Sequence, residues 1–92
     1  MNSRRSKTKI YIDILRSVQR ERGKLKKTHI VYKANLTHSR LEGYLDFLLS
    51  KDLLIEEKNK KEIFYTITEK GLRFLGEANK LKEISEAFGI PL

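Results

Sequence analysis

The spacing of apolar residues changes period near the middle of this chain, and that change limits the folds open to it. In NLTHSRLEGYLDFLLSKDLL, residues 35–54, the residues Leu41, Tyr44, Leu45, Leu48 and Leu49 recur at three- and four-residue steps. That is the repeat of a helix with one buried side. After Asp52 the repeat shortens to two, with Leu53 and Ile55 on one side, a charged stretch EEKNKKE, and then Ile63, Tyr65 and Ile67. The second pattern predicts a two-stranded hairpin whose tip is Lys58, Asn59, Lys60 and Lys61.

Helical periods stand on both sides of this junction. Ile10, Tyr11, Ile14, Leu15 and Val18 mark one buried face over residues 7–22, and Gly23 ends that helix. The segment GKLKK reads as a basic connection. Thr28 then caps a short second helix that runs to Lys33 or Ala34 and buries Ile30 or Val31 together with Tyr32. Asn35 tolerates the left-handed backbone of a sharp turn, and Thr37 is the N-cap of the third helix. Thr68 caps a fourth, in which Leu72, Phe74, Leu75, Ala78, Leu81, Ile84 and Phe88 lead to Gly89, and Pro91 forbids continuation. Tyr11, Tyr32, Tyr44, Phe64 and Phe74 sit at core spacing, so they read as packing residues and not as stacking platforms.

At 92 residues the chain suits one domain. Residues 1–6 lack apolar periodicity and read as a flexible basic arm, residues 7–67 as the globular domain, 68–88 as a C-terminal helix and 89–92 as a tail. Charge is uneven: residues 1–33 hold 11 Lys and Arg against 2 acids, 34–62 hold 5 against 6, and 63–92 hold 4 against 4. A basic excess confined to one end suits a polyanion or an acidic surface as partner. The absence of cysteine excludes disulfides and thiol catalysis. No apolar run approaches the ~20 residues of a membrane helix, and the N-terminus has no apolar signal stretch. A cytoplasmic, nucleoid-associated location is the expectation.

The order of three helices, a β-hairpin and one helix makes the fold class mainly α with a small β-hairpin, the layout of a winged helix-turn-helix. In that layout the apolar side of the third helix packs on the first two, and its N-terminal polar side faces a partner. The stretches YKANLTHSRLEGYLDFLLSKDLL (32–54) and FYTITEKGLRFL (64–75) resemble the small archaeal winged-helix proteins that bind DNA as chromatin-associated dimers or regulators. Tyr65, Thr68 and Gly71 form a spacing shared by many winged-helix groups, and Tyr32, Ala34, Asn35 and Leu36 narrow the match. The resemblance implies a homodimer in which the last helix pairs antiparallel with its twofold mate. Phe74, Ala78, Leu81, Ile84 and Phe88 would form that seam, the first, third and last at seven-residue spacing.

Three groups of residues suit double-stranded DNA. Arg4, Arg5, Lys7, Lys9, Lys24, Lys26, Lys27 and Lys33 are candidate phosphate ligands, because lysines and arginines that meet a duplex release its condensed counterions. Thr37, His38, Ser39, Arg40 and Gly43 occupy the start of the third helix, where free amides and the helix dipole suit a phosphate and Arg40 can reach a guanine. Gly43 inside a helix costs about 1 kcal/mol relative to alanine, which either close packing or close approach of a partner would offset. Lys58, Asn59, Lys60 and Lys61 on the wing can reach an adjacent groove or its phosphates. Glu42 and Asp46 on the same helix face repel phosphate, so shallow insertion and low to moderate sequence selectivity are expected.

His29 and His38 lack neighbours at ligand spacing, and no glycine loop cradles a phosphate, so neither a metal nor a cofactor is expected. Ser39 adjoins His38 in sequence without facing it on a helix, and no carboxylate pair suits catalysis, so an enzyme is not expected. The alternative reading is a winged-helix protein-interaction module of the transcription machinery, favoured by Glu42 and Asp46.

Overall fold

The structure is a computed structural model and describes residues 5–91. Ser6 starts the first helix: its hydroxyl accepts the Lys9 amide at 3.1 Å, and α1 runs Lys7–Arg20. The helix stops two residues before the expected end, because Arg22 and Gly23 turn left-handed at φ 63° and 82°. Ile10, Ile14, Leu15 and Val18 are buried along one side of α1, as their spacing requires.

The connection expected at GKLKK is instead a strand, β1 (Lys24–Lys26). Alternation over so short a segment is hidden among lysines, yet Leu25 is buried and sits opposite Tyr65 in the sheet. The second helix, α2, spans Lys27–Lys33 with Lys26 at its N-cap and no side-chain cap, so Thr28 is not the cap. Tyr32 is also not buried: it is 82% exposed, while Ile30 is fully enclosed. At about 100° per residue, two positions from Ile30 point away from it, so once Ile30 faces the core Tyr32 faces outward. Asn35 closes the turn at φ 56°, as expected.

Thr37 caps α3 (His38–Ser50), its hydroxyl accepting the Arg40 amide at 3.2 Å. Leu41, Leu45 and Leu48 are buried between α3 and the rest of the core, each side chain worth about 1.5–3 kcal/mol when fully enclosed. Strands β2 (Leu54–Asn59) and β3 (Glu62–Ile67) form the wing, and the sheet order is β1-β3-β2, all antiparallel. The predicted β2 phase is off by one residue: Leu54 is fully buried and Ile55 is 45% exposed. The chain turns at Asp52 (φ 61°), and the register Leu54↔Ile67 sets Leu54 on the inner face, because directly opposed antiparallel residues share a face.

The last helix, α4 (Glu69–Phe88), begins at Thr68 and ends at Gly89, which is left-handed at φ 69°. Thr68 explains part of the Tyr65, Thr68, Gly71 spacing. Its hydroxyl accepts the Gly71 amide at 2.9 Å and donates to the Asp52 carbonyl at 2.7 Å, fastening the helix start to the turn between α3 and β2. Among the described residues no helix is long and apolar enough to cross a membrane.

Candidate nucleic-acid interface

The first turn of α3 is the best-defined part of the surface. Thr37, His38, Ser39, Arg40, Glu42, Gly43 and Asp46 are all exposed, and at about 100° per residue Ser39, Gly43 and Asp46 lie on the side of α3 opposite its buried leucines. The Thr37 hydroxyl is held at the cap, with the Ser39 hydroxyl 3.4 Å from it. A Cβ added at Gly43 would meet nothing within 4 Å, so packing within the chain does not account for this glycine. Further along, Glu42 pairs with Lys27 of α2. Asp46 lies close enough to Tyr65 to influence it. Burial raises the Tyr65 hydroxyl above the ordinary value of 10.0, and Glu56 and then Asp46 add to the shift. Behind its first turn this helix face carries the carboxylates of Glu42 and Asp46, the first of them paired with Lys27.

The wing carries the second set of cations. Asn59 and Glu62 are the closing pair of the hairpin, and Lys60 takes φ 60° between them. Lys58, Lys60 and Lys61 are exposed, and none of them is ion-paired among the described residues. Two of the acids beside them, Glu57 and Glu62, are engaged elsewhere. Glu57 meets Lys24 at 3.7 Å and accepts the Thr66 hydroxyl at 2.9 Å, while Glu62 meets Lys26 at 2.6 Å. The register places Lys24, Thr66, Lys26, Phe64, Glu57 and Glu62 together on the outer sheet face, away from Leu25 and Tyr65. Lys24 and Lys26 also stand over the Phe64 ring, at 4.9 and 5.7 Å from its centroid.

The structure thus divides the phosphate candidates. Lys24, Lys26, Lys27 and Lys33 each have a carboxylate partner, that of Lys33 being Glu21 at 3.2 Å. Arg5, expected in a flexible arm, is fixed: its guanidinium meets Asp13 at 2.9 Å and donates to the carbonyls of Ala34 and Asn35 at 2.7 and 2.8 Å. It closes the C-terminal end of α2. Arg4 lies outside the described residues. On α4, Phe74 and Ala78 are half-buried, while Leu81, Ile84 and Phe88 are 54%, 55% and 75% exposed. Exposed Tyr32, beside the turn into α3, was missed because its spacing resembles that of a core residue. Among the described residues no three acidic or histidine side chains come together to hold a metal ion.

A family model described as winged helix-turn-helix matches residues 4–86. A comparison with curated proteins returns no match. Among solved structures the chain is similar to Sso10a-2, a DNA-binding protein from Sulfolobus solfataricus, at 27% identity and a TM-score of 0.79 over 91% of this chain and 85% of that one. It also shares its fold with F93 from STIV, a winged-helix DNA-binding protein, at 20% identity and a TM-score of 0.74 over 87% and 92% of the two chains. The transcriptional regulator BldR from Sulfolobus solfataricus is a further match at 22% identity and a TM-score of 0.72, over 87% of this chain and 60% of that one. The match across residues 4–86, on three helices, a wing and a closing helix, makes this chain a member of the winged helix-turn-helix family.

Proposed function

We propose that this protein binds double-stranded DNA, with the first turn of α3 at the groove and the wing tip on neighbouring phosphates. The observation that carries the reading is the placement of Arg40, Lys58, Lys60 and Lys61. These are exposed cations on the two elements a winged helix offers to a duplex, and no carboxylate takes them among the described residues. The likeness to Sso10a-2 supports it. Thr37, His38 and Ser39 hold a phosphate at the helix start, Arg40 reaches a base edge, and bare Gly43 lets the backbone come close. Glu42 and Asp46 keep selectivity low to moderate, which suits an architectural factor or a broadly acting transcription regulator. Lys24, Lys26 and Lys27 act secondarily, since an exposed ion pair is worth about 0–1 kcal/mol and phosphate competes with its carboxylate.

The functional unit in this reading is a homodimer joined through α4. Phe74 and Phe88 lie seven residues either side of Leu81, and Ala78 and Ile84 three either side. An antiparallel pair with Leu81 on the twofold axis sets Phe74 against Phe88 and Ala78 against Ile84, a large residue against a small one.

Fluorescence anisotropy of a labelled random duplex across a salt series, with a single strand as control, tests the reading. Each phosphate contact contributes about −0.9 to the log–log slope. The triple variant K58A/K60A/K61A is expected to flatten the slope by about 2 to 3, and K24A/K26A by less than about 1. No duplex binding at low salt would favour the second reading, a module that docks a basic protein segment on Glu42 and Asp46.

A further inference from the structure

A second cationic surface lies on α1, apart from the α3 and wing surfaces. Lys9, Asp13, Arg16, Ser17 and Arg20 of α1 and Lys33 of α2 line an open cleft of about 360 Å³. Four cations face one carboxylate there, and that carboxylate is compensated twice, by Arg5 at 2.9 Å and Lys9 at 2.7 Å. Arg16 is held by the neutral Asn79 side chain at 2.8 Å, which orients its guanidinium without cancelling its charge. Arg20 has no ion-pair partner among the described residues, and Lys33 keeps Glu21 at 3.2 Å. The Ala34 and Asn35 carbonyls, which would add negative potential nearby, are covered by Arg5.

The cleft opens away from α3. Tyr11 of α1 packs against α3, edge-on to Tyr44 at 5.5 Å and stacked on Phe47 at 4.6 Å. Residues 9, 13, 16 and 20 form a stripe at helical spacing that lies roughly half a turn round α1 from Tyr11, given about 100° per residue. The polar face of α3 points outward from the same core, on its own side.

We propose that the α1 cleft is a second binding site for the phosphate backbone of a DNA duplex, so that one protomer holds two duplex segments on different faces. This rests on the duplex-binding reading above. Arg16 and Arg20 make the phosphate contacts, and Lys9 and Lys33 flank them. An arginine fork suits phosphate oxygens, and a backbone site carries no sequence requirement of its own.

The test is capture of a labelled duplex by protein loaded on a bead-bound duplex, performed in the Leu81→Asp background so that a dimer cannot supply the bridge. R16Q/R20Q removes the two cleft charges while keeping side chains that can hydrogen bond, and K80Q/K82Q removes two charges from α4 as the control. Thermal unfolding of each variant confirms the fold. The expected result is that K80Q/K82Q captures the second duplex as the background does, whereas R16Q/R20Q loses capture by about tenfold and still binds the bead duplex within about twofold. Capture by R16Q/R20Q equal to the background overturns the cleft. Absence of any protein on the bead duplex overturns the underlying reading and the cleft with it, and is distinguished by that first loading step.

Discussion

Tyr65 joins the wing to the core. It is buried on the inner face of β3, opposite Leu25 on one side and Glu56 on the other. Burial, Glu56 and Asp46 all raise its pKa above 10.0, so the folded protein holds the phenol proton more tightly than the unfolded chain does. The resulting stability is undiminished below the unfolded value of 10.0 and is lost as pH rises through the higher folded value. Urea unfolding at pH 8 and pH 11 is expected to show a larger loss of stability for the wild type than for Tyr65→Phe; equal losses would mean that the phenol is not coupled to the fold. At this scale, residues whose role is set by their own backbone were legible in the sequence. Thr37 and Thr68 cap, Asn35 turns left-handed and α4 runs to Gly89, as expected. Tyr32 was not legible, because whether Ile30 or Val31 takes the core direction depends on how the whole of α2 is rotated.

Between elements, the tightest junction is the start of α4 against the end of the α3-to-β2 turn. A Cβ at Gly71 would fall 2.4 Å from the Leu53 carbonyl oxygen and 2.7 Å from Ile67 Cγ1, so the helix can lie this close only because position 71 has no side chain. Gly71→Ala is expected to destabilise the protein by about 1–3 kcal/mol or more, since backbone cannot yield as a flexible side chain does. Gly76→Ala, where a Cβ meets nothing within 4 Å, is expected to stabilise it by about 0.5–1 kcal/mol. Denaturant midpoints measure both, and a neutral Gly71→Ala would show that the junction has slack. The element order was readable from periodicity, but β1 was not: three residues carry too little alternation, and the strand exists only because β3 offers an edge for it. The one-residue error in β2 has a similar origin, since the turn at Asp52, and not the apolar pattern of Leu53, Leu54 and Ile55, decides which of them faces inward.

For the whole molecule, the proposed dimer rests on the exposed end of α4, where Leu81, Ile84 and Phe88 face outward. Leu81→Asp is expected to yield a monomer in sedimentation velocity and to weaken duplex binding through loss of the second contact surface, with little change in thermal stability of the protomer. A wild-type protein that sediments as a monomer at all accessible concentrations would remove the dimer from the proposal. The exposure of the first turn of α3 and of the wing lysines was legible in advance because each is local in sequence. The neutralisation of Lys24 and Lys26 was not, because their carboxylate partners lie more than thirty residues away and meet them only through strand pairing. The open space at Gly43 has a practical consequence. The chain contains no cysteine, so a cysteine placed at 43 would be its sole thiol, on the surface and clear of every packed neighbour. A spin label or fluorophore attached there would test the proposed seating of the helix in a groove without a background signal.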